Sequence, residues 1–151
     1  MTEVLPDLGQ FVSEYGSIGL LLGSFLAGTI LPFSSEAMLL AALQSGLDVR
    51  DALLYASIGN CLACLLNYGL GVFLDVRMHD KLENTRIGRK ALSWMKSHGM
   101  WSLLGSWLPV IGDPLTIVAG LSRVPLWLFI LVVCPLRVLR YLGIIFLNFN
   151  L

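Results

Sequence analysis

A chain of 151 residues with 56% hydrophobic and 13% charged residues lies outside the soluble class, where about 25% of residues are charged. Its mean hydropathy is +0.79, and its length allows one domain with about four or five membrane-embedded segments of roughly 20 residues each. The formal net charge of zero excludes a whole-chain nucleic-acid footprint, and with no nucleophile–base set or metal cluster, enzyme activity and any cofactor are the least expected properties.

Residues 1–14 form an acidic, partly amphipathic lead with Val4, Leu5, Leu8, Phe11 and Val12 as its apolar members. Glu3, Asp7 and Glu14 stand there without Lys or Arg, unlike the basic start of a signal peptide, so insertion is expected through the chain's own segments. Residues 15–46 form an apolar run interrupted by Pro32 and Glu36. At ~1.5 Å per residue a straight helix of that length would overshoot a ~30 Å hydrocarbon core, which favours a re-entrant hairpin. Ser34 is the expected N-cap of its second arm, placing Glu36 in a first turn where the helix dipole favours negative charge. Asp48, Arg50 and Asp51 mark a surface turn.

Residues 52–74 have the character of a complete transmembrane helix. Asn60, Cys64, Asn67 and Gly71 recur at i, i+4, i+7 and i+11, one helix face. A polar and small-residue stripe on a membrane helix points toward other helices or a cavity. Packing contact and ligand contact are both open for it. Cys61 and Cys64 have the spacing of a redox or metal pair but lack further ligands and an accessible thiolate, so they are expected as small packing residues.

Residues 77–98 change character, with Arg77, Lys81, Arg86, Arg89, Lys90 and Lys96 against only Asp80 and Glu83. With Leu82, Ile87, Leu92, Trp94 and Met95 this reads as an interfacial helix, and the positive-inside bias puts it in the cytoplasm. His79 and His98 have no second ligand at metal spacing and are expected to be solvated or headgroup-facing.

Residues 100–122 are a second broken run. Pro109 breaks it, and Asp113-Pro114 reads as a fresh helix start, with Asp at the N-cap and Pro at the first helical position. Broken helices at membrane depth are tolerated only where protein buries them or a polar cavity runs past, which makes Trp107–Gly120 a candidate site. Residues 124–149 are the second full span, with Arg137 and Arg140 one turn apart near its middle. A charge there costs at least ~2.5 kcal/mol on insertion scales, so inward pairing is expected, and Glu36 and Asp113 are the two acids inside apolar runs.

The two broken runs share a grammar. With Pro32 set on Pro109, Leu26 meets Leu103, Gly28 meets Gly105, Thr29 meets Ser106, Leu31 meets Leu108, Glu36 meets Asp113 and Ala42 meets Ala119. This indicates an internal repeat.

Several of these residues are also the basis of a family resemblance. Leu31-Pro32 with Glu36, Gly59-Asn60 and Asn67, the run Ser106-Trp107-Leu108-Pro109-Val110-Ile111-Gly112-Asp113, Ala119-Gly120 and Leu139-Arg140-Tyr141 together resemble the DedA family, also called VTT or SNARE-associated domain proteins, and most closely its short YqaA-like branch. The resemblance covers roughly residues 15–145. It implies a bacterial inner-membrane protein with two re-entrant hairpins facing each other, and it implies lipid movement, since some relatives are proposed to flip undecaprenyl phosphate and eukaryotic relatives scramble phospholipids. It implies that Glu36 is the family's membrane-embedded acid, and that Arg137 stands where YqaA-like proteins often carry Lys. The resemblance also implies an arginine on each side of Pro109, and the chain departs from that pattern, with Ser106 and Gly112 at the arginine positions, which weighs against polyprenyl phosphate for this branch.

The expected architecture is therefore an all-α integral membrane protein, multi-pass, built as one VTT-like domain. It is an inverted repeat of re-entrant hairpin plus span, with the interfacial helix between the halves and both termini periplasmic. The expected function is movement of a phospholipid or polyprenyl phosphate through a midplane site between the hairpins. Glu36, Asn60, Asn67, Asp113, Arg137 and Arg140 are its substrate or ion ligands, and Pro32, Pro109, Gly112 and Pro114 its structural breaks. Membrane lipids are the expected partners; protons as coupling ion and a homo-oligomer are open. The alternatives are a proton- or ion-coupled transporter of a small solute, and a non-transporting protein supporting envelope homeostasis.

Overall fold

The computed structural model describes residues 4–29, 35–73, 80, 82–108 and 111–150, and every regular element among them is helical. The elements in order are α1 (Val4–Thr29), α2 (Ser35–Gln44), α3 (Val49–Phe73), α4 (Arg86–His98), a 3-10 helix (Gly99–Trp107), α5 (Gly112–Leu121) and α6 (Leu126–Asn150). Pro32, Ser34, His79 and Pro109, to which sequence reasoning assigned breaks, a cap and a solvated ring, lie outside the described residues.

Two helices, α3 and the 126–148 part of α6, are long and apolar enough to cross a membrane. α6 runs through Pro135, whose missing N–H removes one bond of the helical ladder. α1 is two helices joined at Gly16 (φ 56°, ψ −137°), a conformation that costs a residue with a Cβ far more than glycine. The joint falls where the acidic lead gives way to the apolar run. Two spacings stand out: α2 and α5 are each 10 residues long and begin 77 residues apart, at Ser35 and Gly112. α3 and α6 are each 25 residues long and begin 77 residues apart as well, at Val49 and Leu126.

The chain forms two compact units, residues 1–63 with 138–151, and residues 64–137. In the first, Leu20, Met38, Leu39, Ala42, Ala52, Ala56, Tyr141 and Ile145 make a core from α1, α2, α3 and the end of α6. Small residues let the backbones close up there. A Cβ on Gly59 would strike the Leu21 carbonyl of α1, and one on Gly28 would lie 2.7 Å from Ala63 Cβ. This is the close approach that apolar surroundings reward, because packing rather than water exclusion drives helix association in lipid.

In the second unit Cys64, Leu82, Ala91, Leu92, Met95, Leu103, Leu115, Val118, Ala119, Val124, Phe129 and Val133 form the core. Gly71 of α3 meets Gly120 of α5, and a Cβ on either would run into the other helix's backbone. Tyr68 stacks on Phe129 at 4.8 Å between ring centroids and donates its hydroxyl to the Val124 carbonyl at 2.6 Å. α4 starts at Thr85, whose side chain accepts from Gly88 N at 3.0 Å, and stops at Gly99 (φ 53°). Its apolar face, Gly88, Ala91, Leu92 and Met95, is buried on this core, while Arg86, Arg89, Lys90 and Lys96 are exposed.

The arm before the second break is a 3-10 helix, and one local expectation about this run needs correction. The N-cap of α5 is Ile111, with no side-chain cap hydrogen bond, and Asp113 lies in the first turn. The reason is competition for the carboxylate: Asp113 is engaged by a guanidinium.

Candidate functional site

A carboxylate–guanidinium pair involving α6 is found in each unit among the described residues, built in the same way. A short helix places an acid in its first turn, Glu36 in α2 and Asp113 in α5, and α6 supplies the arginine. In the second unit Arg137 Nη2 donates to Asp113 Oδ1 at 2.5 Å. In the first, Arg140 Nε lies 3.3 Å from Glu36 Oε1, and Arg140 Nη2 donates to Ser35 Oγ at 3.3 Å. The inward pairing expected of the two arginines is thus present, Glu36 with Arg140 and Asp113 with Arg137.

The partners differ in burial. The arginine side chains are 2% and 8% exposed, whereas Asp113 and Glu36 are 35% and 30% exposed. A guanidinium keeps its charge at any accessible pH and presents five donors in a rigid fork matched to carboxylate and phosphate oxygens. The pairs are therefore fixed, buried cations whose counterions can be reached from outside.

Polar neighbours complete each site. In the first unit Asn60, fully buried, donates through Nδ2 to Ser35 Oγ at 3.2 Å and to the Tyr141 hydroxyl at 2.5 Å. Ser35, which sequence reasoning missed, thereby accepts from both Asn60 and Arg140. A signal for it was available, because Ser35 occupies in the first short helix the place Gly112 has in the second. In the second unit Gly112 is buried beside the pair: a Cβ there would be 2.5 Å from the Ser106 carbonyl and 3.2 Å from Arg137 Nη2. Ser106 is itself fully buried, with its hydroxyl lacking a hydrogen-bond partner among the described residues. Gly112 and Ser106 thus lie together, with the Arg137 guanidinium adjacent to Gly112.

The remaining candidates divide between the units. Asn67, Cys64 and Gly71 are buried in the second and Asn60 in the first, so the α3 stripe faces inward along its length. Pro114 follows Asp113 in the first turn of α5. Cys61 and Cys64 are free thiols, with Cys64 in the second unit's core.

Known proteins resemble this chain along most of its length. The VTT domain family profile matches residues 16–147. The chain is 39% identical over 145 residues to the inner membrane protein YqaA of Escherichia coli (strain K12), covering 95% of this chain and 92% of that protein. The Shigella flexneri inner membrane protein YqaA gives the same figures. An uncharacterized protein of Haemophilus influenzae is 30% identical over 135 residues, covering 84% of this chain and 83% of its own length. No solved structure matches significantly. On the strength of the profile match and these relatives, the chain belongs to the DedA family of VTT-domain membrane proteins.

Proposed function

We propose that the protein moves a lipid across a bacterial inner membrane, with the two buried arginines as the groups that receive an anionic headgroup. The observation that carries this reading is the asymmetry of burial within each pair: the cation is sequestered and the carboxylate is reachable. Buried charges in membrane segments are costly, and where they occur they mark substrate or ion paths. A phosphate presents the same oxygen geometry to a guanidinium as a carboxylate does, so it can replace Glu36 or Asp113 at the fork. In the empty state the acids hold the arginines neutralised.

The proposal includes the topology. Each broken run is a re-entrant hairpin, each hairpin is followed by a full span, and the two halves form an inverted repeat with both termini periplasmic. The paired lengths and 77-residue spacings of α2 with α5 and of α3 with α6 support the repeat. On the same spacing Asn60 corresponds to Arg137, and each reaches the start of its own short helix, Asn60 at Ser35 and Arg137 at Asp113. Half-helices that aim their first turns at a charged group are the usual construction of substrate sites in inverted-repeat transporters.

The test is movement of a fluorescent phospholipid between leaflets of vesicles reconstituted with the purified protein. Acceleration over protein-free vesicles supports the reading, and its absence rejects lipid movement. A second reading, coupled transport of a small solute with the acids as proton relays, rests on the partial exposure of Glu36 and Asp113. It predicts a proton flux that depends on those acids without any lipid movement.

A further inference from the structure

The second unit carries two neighbouring hollows, sharing Trp101 in their walls, that neither ion pair uses. One, of about 270 Å³, is lined by Met100, Trp101 and Leu104 of the 3-10 helix and Leu128, Leu131 and Val132 of α6. The other, of about 160 Å³, is lined by Trp94, His98, Trp101, Ser102 and Gly105. Trp101 belongs to both and is 78% exposed. Gly105 shapes the smaller hollow, because a Cβ there would lie 2.6 Å from the Trp94 ring.

The chemistry changes in order along the two. The larger hollow is aliphatic, and its α6 wall belongs to a helix long and apolar enough to cross a membrane. Next come indoles, the side chains that settle at headgroup level. Beyond them lies the cationic side of α4. Lys90, Trp94 and His98 recur every four residues on one helix face, with Lys90 Nζ 5.8 Å from the Trp94 ring centroid. The Ser97 hydroxyl engages His98 Nδ1 at 2.7 Å, leaving Nε2 as the ring's other hydrogen-bonding atom.

Aliphatic slot, indole, then cation and ring nitrogen is the order in which a phospholipid presents chain, glycerol and phosphate. We propose that the two hollows on either side of Trp101 together bind one anionic phospholipid, its acyl chain along Leu104, Leu128, Leu131 and Val132, its glycerol at Trp101, and its phosphate at His98 and Lys90. A helix of a second copy would suit the apolar slot but would leave Lys90 and His98 without a counterpart, so charge complementarity selects the lipid. The site goes beyond the proposed lipid movement, since it requires only that a lipid dwell there and uses no residue of either ion pair.

The test uses the full chain with Trp101 as its lone indole, Trp94, Trp107 and Trp127 each replaced by Phe, reconstituted in phosphatidylcholine bilayers. Its fluorescence is titrated with brominated-chain phosphatidylglycerol and, separately, with brominated-chain phosphatidylcholine. Trp101 is expected to favour phosphatidylglycerol about fivefold, the ratio implied by about 1 kcal/mol per basic residue near an anionic lipid. A chain keeping only Trp127, also exposed, is expected to show no preference, and Lys90→Gln with His98→Gln is expected to abolish that of Trp101. Equal quenching of Trp101 by both lipids overturns the proposal, as does a preference that survives loss of Lys90 and His98. Trp101 shielded from both lipids also overturns it and assigns the slot to a second copy. The lipid comparison between Trp101 and Trp127 stands even if the Lys90 and His98 variant fails to fold.

Discussion

Asp113→Ala removes the counterion of a guanidinium that is 2% exposed and bonded at 2.5 Å. Breaking a buried pair from one side costs ~3–5 kcal/mol, because the remaining charge stays in a low-dielectric site. Asp113 is 35% exposed, so water can reach part of the vacated space, and the lower end, ~3 kcal/mol, is the expected cost. At ~2–4 °C per kcal/mol for a chain of this size, that is a fall of ~6–12 °C in the unfolding midpoint. Adding Arg137→Leu removes the stranded charge and replaces it with apolar volume, which is close to neutral for such pairs. The double variant should therefore recover most of the loss. Arg140→Leu is the matching change for Glu36→Ala. Thermal unfolding of the purified variants in detergent, followed by loss of monodispersity, measures all of these. Single variants as stable as the parent, or double variants no more stable than the acid-to-Ala single variants, would refute the pairing as a structural element.

Other outcomes follow from the same geometry. Tyr141→Phe removes the hydroxyl that accepts from Asn60 in a fully buried position and should cost ~1–3 kcal/mol in a denaturant or thermal series. Gly71→Ala should destabilise through collision with the Ile117 carbonyl, whereas Gly69→Ala, two residues away with open space around it, should be neutral or gain up to ~1 kcal/mol of helix propensity. Reporter fusions at the two ends should both report periplasmic placement, and cytoplasmic placement of both would remove the proposed topology along with one hairpin.

Much of this architecture was legible because apolar length and proline position are one-dimensional signals. The long apolar helices expected around 52–74 and 124–149 appear as α3 and α6, and Glu36, expected in a first turn, lies in the first turn of α2. Arg137 and Arg140 announced themselves by the cost of charge in an apolar run. Their choice of partner was not readable, because it depends on the rotation of α6 against two different short helices. Arg137 and Arg140 are three residues apart, ~4.5 Å along the axis, enough to give each a different acid. The Asp113 cap failed for a related reason, since local capping rules take no account of a guanidinium arriving from 24 residues away. The 3-10 geometry of Gly99–Trp107 was hidden as well, because an apolar run of that length fits either helix type. The Asn60–Tyr141 contact joins residues 81 apart, beyond the reach of helical periodicity.

The most direct test compares the parent with a variant expected to keep most of its stability. Vesicles containing a phospholipid with a fluorescent headgroup are reconstituted with the parent chain or with the Asp113→Ala/Arg137→Leu variant, which lacks this one pair, and dithionite is added outside. The parent should expose the inner-leaflet label to quenching well beyond the half reached in protein-free vesicles, and the double variant, restored in stability, should not. Equal quenching by the two proteins would show that the Asp113–Arg137 pair has no part in lipid movement, and a parent no better than empty vesicles would show that the protein does not move lipid.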